Sequence, residues 1–458
     1  MLDSSVIRDQ IAEAIKGHEA DYIEVHFEES ETNGIEYRGK DLDTVAGNTG
    51  AGGNVRAQVK GGWGFVSFDQ MESLRQRVQM AVAQARLVGG KDKMLAPVKP
   101  VVSITEARLI KDPAAITLTA KKDLLDEYND IVYGVPGVQT STIGYVDSRR
   151  DKIFANSEGS FIRQARVDVM LRVRVVARKD GEVQQVGLSL GSLGDYGAVE
   201  KLQKEIKDAA EKAVAMLSAP RVKGGKYPVV LDPVLAGVFV HEAFGHLSES
   251  DFIYENNRLR EIMVMGRQFG GSHLNILDDA SQPGLRGSYS YDDEGVPGTK
   301  TYLIREGILT GRLHSRETAA KMGEKPTGNA RAINYRFPPI VRMSNTFIQS
   351  GTASFADLIS DVKEGVYASN WYGGTTSMEM FTFSAGEAHM IRNGKIEELI
   401  RPITLTGNVF ETLKNINAIG NDLNMNQGGG CGKGGQSPLP VSNGSPHIRI
   451  HDCLIGGD

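Results

Sequence analysis

Cysteine and tryptophan are the scarcest residues of this 458-residue chain, with two of each. A lone pair, Cys431 and Cys453, excludes a disulfide framework and is typical of reduced cytoplasmic thiols. The chain has no run of eighteen apolar residues, which excludes a membrane-spanning helix. Its first residues, MLDSSVIRDQIAEAIKGHE, lack the apolar core of a signal peptide. We therefore expect a cytoplasmic protein without membrane partners.

Charge of neither sign dominates the chain. Lysine and arginine number 52 against 57 aspartates and glutamates, and no long basic run occurs, so a nucleic-acid partner is not expected. Glycine is abundant instead, at 53 residues, or about 12% against an average near 7%. Many glycines cluster at residues 50–64 and 428–435, which predicts constrained turns and loops there.

The first half of the chain repeats one order of elements. The alternation in YIEVHFEE, residues 22–29, predicts a half-buried strand, and residues 71–85 keep helical spacing. After a proline-containing connector near residues 97–113 a helix and strands recur, and residues 167–177 alternate for eleven positions. We predict an α+β domain, residues 1–220, with antiparallel sheets and flanking helices. A two-fold internal repeat is expected from the order of elements, not from residue identity.

A small, basic, glycine- and proline-containing segment, SAPRVKGGKYP at residues 218–228, marks the domain boundary. Residues 225–458 then show short β-like runs, which predict a β-rich C-terminal domain. One helix is indicated, with Asp232 as N-cap and Pro233 at its first position. Residues 234–240 are apolar on every side, which predicts that this helix is buried.

The motif HEAFGH places His241, Glu242 and His246 at the end of this helix. Histidines five apart point about 140° from each other on an ideal helix, so they cannot share an ion there. A π-bulge would bring them to one side, and Gly245 would ease the deformation of the backbone. Because buried polar groups are paired or bound to metal, we predict a metal site on a distorted helix. A chance string and a satisfied His–Glu core pair are the alternatives.

A catalytic metal typically has three protein ligands, so a third ligand is expected elsewhere in the chain. Cys431 lies in GGGCGKGGQ, where the glycines permit close approach of the backbone and a thiolate is a good ligand. A phosphate-binding loop is excluded, because Gln427 and Gly434 stand where glycine and Ser or Thr are required. Cys431 is therefore the strongest candidate.

The second cysteine lies in HIRIHDC, near the end of the chain. Alternation would put His447, His451 and Cys453 on one face of a strand. Four residues of strand span about 13 Å, which is too far for joint ligation. Cys453 is therefore expected to be a structural thiol.

Several further motifs accompany HEAFGH along the chain. They are Glu249 and Asp251, YDDEGVPGTKTYLIREGIL, TGNAR, VRMSNTFI, CGKGGQ and a terminal GG. This order of motifs resembles the TldD family of metallopeptidases. The resemblance covers most of residues 225–458 and is weaker before them. Leu247-Ser248 departs from the more usual Gly-Leu of the family.

The resemblance implies both a fold and a site. It implies an N-terminal α/β domain, a β-rich metal-bearing C-terminal domain and dimers whose active sites face an enclosed cavity. By position, His241, His246 and Cys431 bind the metal and Glu242 is the catalytic base. Bacterial relatives act with a sister subunit, TldE or PmbA, that lacks HExxxH, and together they trim leader peptides or degrade unstructured polypeptides. The partner is then a second copy, giving a homodimer, or a TldE/PmbA-like chain, giving a heterodimer.

The expected function is a metal-dependent peptidase for unstructured or leader peptides. Zinc is the default ion, and ferrous iron is compatible with the donors. The metal would polarise the peptide carbonyl and lower the pKa of water, and Glu242 would transfer the proton to the leaving amine. A metal-dependent amidase for small molecules and a non-catalytic peptide-binding subunit are the alternatives.

Other polar residues are candidates for supporting roles. Residues 292–294, which are Asp292, Asp293 and Glu294, are candidates to orient the ligands. Arg342 and Asn345 are candidates to hold substrate.

Overall fold

The computed structural model describes residues 4–90 and 95–456, and its N-terminal half consists of helices and long strands. The helices are α1 (Ser4–Ile15), α2 (Leu74–Val88), α3 (Leu118–Tyr133) and α4 (Gln203–Ala215). The strands are β1 (Tyr22–Arg38), β2 (Asp41–Val59), β3 (Gly62–Phe68), β4 (Val102–Thr105), β5 (Val138–Asn156), β6 (Phe161–Lys179) and β7 (Glu182–Leu193).

These strands form one sheet, in which the predicted order of elements recurs. Among the described residues the sheet runs β3-β2-β1-β5-β6-β4, and β7 also pairs with β6. Helix, three strands and helix occur as α1–β1–β2–β3–α2 and again as α3–β5–β6–β7–α4. The two copies meet where β1 pairs antiparallel with β5. The predicted α+β class and the repeated order are confirmed.

The alternation in β6 has the predicted consequence for burial. The alternating positions from Val167 to Ala177 are buried, and those from Val169 onward pack with residues of α3 and α4 in one hydrophobic cluster. Complete burial of one valine or leucine side chain stabilises a fold by roughly 1.5–3 kcal/mol.

Strands β1 and β2 are longer than the sequence suggests. Their pairing continues from Tyr22–Gln58 to Arg38–Asp41, so the glycines of β2 lie inside a strand and not in turns. At Gly53 a Cβ would come within 2.2 Å of the carbonyl oxygen of His26. Close approach of neighbouring atoms therefore requires glycine here, which corrects the expected turn.

The C-terminal half contains shorter elements. Its helices are α5 (Pro233–Val240), α6 (Ser250–Glu255), α7 (Asn257–Ile262), α8 (Arg316–Met322), α9 (Phe355–Ile359) and α10 (Val409–Lys414). Its first strands are β8 (Gly225–Leu231), β9 (Ile276–Asp279), β10 (Lys300–Arg305), β11 (Ile308–Leu309), β12 (Ala330–Arg331), β13 (Ile340–Val341), β14 (Asn345–Ile348), β15 (Glu364–Ser377) and β16 (Met380–Arg392). The others are β17 (Lys395–Ile400), β18 (Thr404–Asn408), β19 (Ile416–Ile419), β20 (Asn424–Asn426), β21 (Gly430–Lys433), β22 (Gln436–Pro440), β23 (Ser442–Ser445) and β24 (Ile448–Gly456).

Helix α5 lies between two sheets of this half. One sheet runs β11-β10-β9-β14-β23-β20, and the other runs β15-β8-β24-β18-β16-β17 with β19 on β24 and β15 also on β16. The helix packs against β14, β20 and β23 of the first sheet and against β8 and β15 of the second. Gly237 lets it approach β23, because a Cβ there would come within 3.0 Å of Gly444. The predicted burial of this helix and the predicted β-rich half are both confirmed.

Across the described residues, every helix is too short or too polar to span a lipid bilayer.

Candidate metal centre

The sequence pattern that predicts the start of α5 corresponds to a real cap. The carboxylate of Asp232 accepts a hydrogen bond from the backbone N–H of Leu235 at 2.8 Å, and Pro233 occupies the first turn. Such a cap stabilises a helix by about 1 kcal/mol. The cap fixes the residue at which the helix that carries the HEAFGH motif begins.

At its C-terminal end α5 continues into a single π turn, His241–Gly245. The N–H of His246 donates to the carbonyl oxygen of His241, five residues earlier. The wider turn brings the two imidazoles to one side, with ring centroids 5.3 Å apart and ring planes at 80°. The predicted distortion of the helix is confirmed.

Gly245 supports this turn for a reason other than the predicted one. Its φ of −58° and ψ of −52° are ordinary for any residue, so the turn does not depend on glycine's conformational freedom. A Cβ at Gly245 would instead lie 2.1 Å from the sulfur of the buried Met343. A larger residue at this position would therefore have to displace the side chain of Met343.

Cys431 lies beside the two imidazoles although it is near the end of the C-terminal half of the chain. It lies on β21, which pairs with β22 in a two-stranded hairpin. Its Sγ is 3.4 Å from Nε2 of His246, and donor atoms of His241, His246 and Cys431 all lie within 4.8 Å of one another. The guanidinium of Arg342 donates to the carbonyl oxygen of Cys431 at 2.8 Å and so holds the strand that carries the thiol.

The charges of the three groups depend on one another. Burial raises the pKa of the Cys431 thiol, but the imidazoles of His241 and His246 outweigh it, and the pKa falls to about 5. Burial lowers the pKa of His246, yet Glu249 and Cys431 move it well above its ordinary value. The pKa of His241 also rises, because the adjacent Cys431 offsets the effect of burial. The cluster therefore favours the thiolate form that binds metals.

Glu249 and Lys433 surround this cluster. A Glu249 carboxylate oxygen lies 3.0 Å from Nδ1 of His246 and 3.0 Å from Nζ of Lys433. Burial raises the pKa of Glu249, but the opposing effect of His246 and Lys433 is larger, and the pKa falls to about 2. Sequence reasoning did not assign a role to Glu249 and missed Lys433. The available signal was a lysine two positions after the candidate cysteine.

Glu242 has a more open environment. Its side chain is 32% exposed, and its Oε2 lies 3.9 Å from Nε2 of His246. The carboxylate is thus near the donor cluster and accessible to solvent. This is the position that a general base requires.

The donor set fits a metal ion. Tetrahedral zinc with sulfur at about 2.3 Å and nitrogen at about 2.0–2.1 Å separates the two donors by about 3.6 Å. The observed Sγ–Nε2 distance between Cys431 and His246 is 3.4 Å. Within residues 4–90 and 95–456, the buried Nδ1 of His241 has no hydrogen-bond partner. Imidazole nitrogen and thiolate sulfur are both ordinary zinc ligands, and three protein ligands are the number found at catalytic zinc sites.

The acidic run predicted to orient ligands lies at the junction with the N-terminal half. Asp293 pairs with Lys152 at 3.0 Å, and Glu294 accepts from the backbone N–H of Arg316 at 2.7 Å. Asp292 accepts from backbone N–H groups of its own loop and of Ala330. In the described part of the chain, these contacts fasten loops, and none reaches the donor cluster.

Two further predictions are corrected. Arg342 is fully buried and holds β21, and Asn345 is fully buried and donates to the carbonyl oxygen of Asp279 at 2.6 Å. Neither side chain is open to a substrate. Cys453 is buried on β24, where burial raises the pKa of its thiol to about 12, as expected for a structural thiol.

Models of one protein family match nearly the whole chain. The PmbA/TldA metallopeptidase C-terminal domain matches residues 224–457, the central domain residues 111–217 and domain 1 residues 23–85. Domain 1 covers most of the first copy of the repeated helix–strand unit, and the central domain covers the second copy.

Individual relatives agree with these matches. A metalloprotease of Synechocystis sp. is 50% identical over 443 residues, 96% of each chain. A zinc metalloprotease TldD homolog of Saccharolobus solfataricus is 34% identical over 325 residues, 70% of this chain and 72% of the relative.

Solved structures share the fold. A Thermotoga maritima crystal structure superposes with a TM-score of 0.80 at 20% identity, covering 99% of this chain and 100% of that one. TldE from Thermococcus kodakarensis superposes with a TM-score of 0.74 at 17% identity, with the same coverage. On the family models and the relatives together, the chain belongs to the PmbA/TldD family of metallopeptidases.

Proposed function

We propose that this chain is a zinc-dependent peptidase for unstructured peptides, with His241, His246 and Cys431 as ligands and Glu242 as general base. The observation that carries the proposal is the convergence of two imidazoles and a thiol within 4.8 Å. Membership of a metallopeptidase family supports peptide hydrolysis. The name of the Saccharolobus relative supports zinc, although the donors also suit ferrous iron.

The side chains divide the chemistry between them. An ion on the three donors would polarise a peptide carbonyl and lower the pKa of water. The Glu242 carboxylate accepts a proton from the attacking water and delivers it to the leaving amine. Glu242 is next in sequence to a proposed ligand but is not one of the three donors. Its side chain is partly exposed, so the carboxylate is accessible to a water molecule.

The strands of the C-terminal half suit recognition of a peptide mainly through its backbone. Strand β14 lies inside its sheet between β9 and β23 and therefore cannot receive a peptide. Strand β15 packs against the π turn, and among the described residues it pairs with β8 only over Val366–Ala368. The later part of β15 carries the exposed Trp371 and Tyr372. We propose that an extended peptide adds to this edge, a mode that tolerates many sequences.

The proposed partner is a second copy of this chain or a TldE/PmbA-type chain, as a dimer that encloses the active site. The shared fold of TldE supports a pairing of similar subunits. Both cysteines are free thiols, which supports action in the reducing cytoplasm. Light scattering of the purified chain, alone and with a TldE-type subunit, tests the assembly.

Metal analysis combined with two substrates tests the proposed function. The purified protein is expected to contain one zinc per chain and to hydrolyse an unstructured peptide faster than a small amide. Equal or faster hydrolysis of the small amide would establish an amidase instead. Peptide binding without hydrolysis would identify a non-catalytic subunit, and an absence of stoichiometric metal would overturn the proposal.

A further inference from the structure

One carboxylate oxygen connects a proposed ligand to a buried ammonium group. Oε2 of Glu249 lies 3.0 Å from Nδ1 of His246 and 3.0 Å from Nζ of Lys433. An ionised carboxylate can only accept hydrogen bonds, so Nδ1 of His246 must be the donor. In the neutral form of that imidazole, which is the form that binds a metal, the lone pair is then on Nε2, the nitrogen that faces Cys431 at 3.4 Å.

Lys433 joins this carboxylate to the strand that carries the thiol. It lies on β21, two residues after Cys431, and its ammonium contacts both oxygens of Asp251 at 2.7 and 2.8 Å. The same group donates to the carbonyl oxygen of Val341 at 2.8 Å and lies 4.1 Å from the ring centroid of Phe252. Its position is therefore fixed from several directions.

Burial makes these contacts specific. Glu249 is inaccessible to solvent, and the side chain of Lys433 is only 7% exposed. Removing one partner of a buried ion pair leaves an uncompensated charge, which side chains relieve by moving. Loss of either group would therefore shift the ring of His246 or the strand of Cys431.

We propose that Glu249 and Lys433 are positioning residues of the metal site, an inference that rests on the proposed function. Glu249 fixes the tautomer and orientation of His246, and Lys433 holds Glu249 in register with the strand of Cys431. Carboxylates that accept from a ligating imidazole act in this way in other metal sites, where their loss weakens binding by about 10–100-fold.

A double-mutant cycle on zinc affinity tests the proposal. Zinc dissociation constants are measured by chelator competition for wild type, Glu249→Gln, Lys433→Met and the double variant. Each single change is expected to raise the dissociation constant by about 10–100-fold. The double variant is expected to be no weaker than the weaker single variant, because both residues belong to one chain of contacts. Lys433→Arg keeps the positive charge and should bind more tightly than Lys433→Met.

The surface pair Glu411 and Lys414 provides a matched control. Its oxygen and nitrogen also lie 3.0 Å apart, but the side chains are 67% and 52% exposed. Glu411→Gln, Lys414→Met and their combination should leave the zinc affinity unchanged, because exposed pairs contribute little.

Thermal unfolding of the metal-free variants and the absorption of their cobalt-substituted forms separate positioning from general stability. A positioning role predicts an altered cobalt spectrum in Glu249→Gln even at saturating cobalt. If Lys433→Met does not fold, the isosteric Glu249→Gln decides alone. Wild-type affinity and spectrum in Glu249→Gln would overturn this inference but not the proposed function, whereas wild-type protein that binds no metal would overturn both.

Discussion

At the scale of single residues, the two cysteines show how neighbours determine chemistry. Both are buried to the same extent, with 3% exposure. Burial alone acts on Cys453 and raises the pKa of its thiol to about 12. Next to Cys431, two imidazoles outweigh burial and lower the pKa to about 5. Only Cys431 is therefore prepared to act as a thiolate ligand.

We predict that Cys431→Ser sharply reduces the metal content while Cys453→Ser leaves it near normal. The serine hydroxyl is a much weaker ligand than a thiolate, and Cys453 lies on β24, away from the donor cluster. Elemental analysis of the three purified proteins measures the effect, with Cys453→Ser as the matched control. Normal metal content in Cys431→Ser would show that another side chain supplies the third ligand.

Sequence reasoning at this scale found donor types but not their supports. The residue types and surroundings of His241, His246 and Cys431 predict metal ligands, and the structure brings these three residues together. The contact of Lys433 with Glu249 depends on which strand crosses the motif, and no local pattern encodes that crossing. For the same reason the sequence predicts a substrate-binding role for Arg342, whereas the structure shows a buried side chain that supports β21.

At the scale of elements, the π turn after α5 combines a wide helical turn with a tight contact. Its hydrogen bond from His246 to His241 aligns the imidazoles, and Gly245 leaves room for Met343. On propensity alone, alanine in a helix is favoured over glycine by roughly 0.5–1 kcal/mol. At Gly245 the overlap with the methionine sulfur opposes this gain.

We predict that Gly245→Ala destabilises the protein and weakens metal binding. Extra volume in a packed interior typically costs about 1–3 kcal/mol, which exceeds the gain in propensity. The added replacement Met343→Ala should restore part of the metal affinity, because it removes the overlapping sulfur. Thermal unfolding and zinc titration measure both effects.

Gly144→Ala serves as the control for this prediction. A Cβ at Gly144 would meet no described atom within 4 Å, so little change is expected. Wild-type stability and metal affinity in Gly245→Ala would show that the close approach of Met343 does not constrain the turn.

The elements were predictable where periodicity was long and unambiguous. The alternation of β6 and the cap of α5 at Asp232 both correspond to the structure. The glycines of β2 were misread as turns because the pairing partner β1 is not visible in a local pattern. The strand face predicted for His451 and Cys453 was also wrong. A bulge between Ile450 and Cys453 leaves His451 exposed and Cys453 buried.

At the scale of the whole molecule, buried charges join the two halves. Arg56 of β2 contacts Glu24 of β1 at 2.6 Å and Glu294 of the C-terminal half at 3.4 Å. Burial raises the pKa of Glu24, but the opposing effect of Arg56 and His26 is larger, and the pKa falls to about 2. Its carboxylate is therefore charged in the folded protein at neutral pH.

This arrangement predicts a pH-dependent contribution of Glu24 to stability. Because the folded pKa is depressed from 4.5 to about 2, the contribution is complete above about pH 4.5 and is lost as pH falls toward 2. The shift corresponds to about 3 kcal/mol at neutral pH. Glu24→Gln should therefore lower the urea midpoint strongly at neutral pH and much less near about pH 3.

The exposed Glu411→Gln provides the comparison, since its carboxylate pairs with a surface lysine at 3.0 Å. A constant difference between wild type and Glu24→Gln across this pH range would contradict the assigned charge state.

Substrate shape is the second prediction for the whole molecule. A peptide that adds to a strand edge must be extended, and an enclosed dimer would exclude folded domains. We predict broad sequence tolerance with unstructured chains and resistance of the same sequences when folded. One polypeptide, compared in its folded form and as a destabilised variant at equal concentration, provides the test. Equal cleavage rates at a site buried in the folded form would contradict this prediction.

The most direct test of the central claim is metal content and peptide hydrolysis measured together in Glu242→Gln. This change removes the proposed base and leaves His241, His246 and Cys431 in place. We predict wild-type metal content by elemental analysis and nearly complete loss of hydrolysis of an unstructured peptide. Loss of metal in parallel with activity would show that Glu242 is a ligand. Retained hydrolysis would show that another group accepts the proton, and either result would contradict the account.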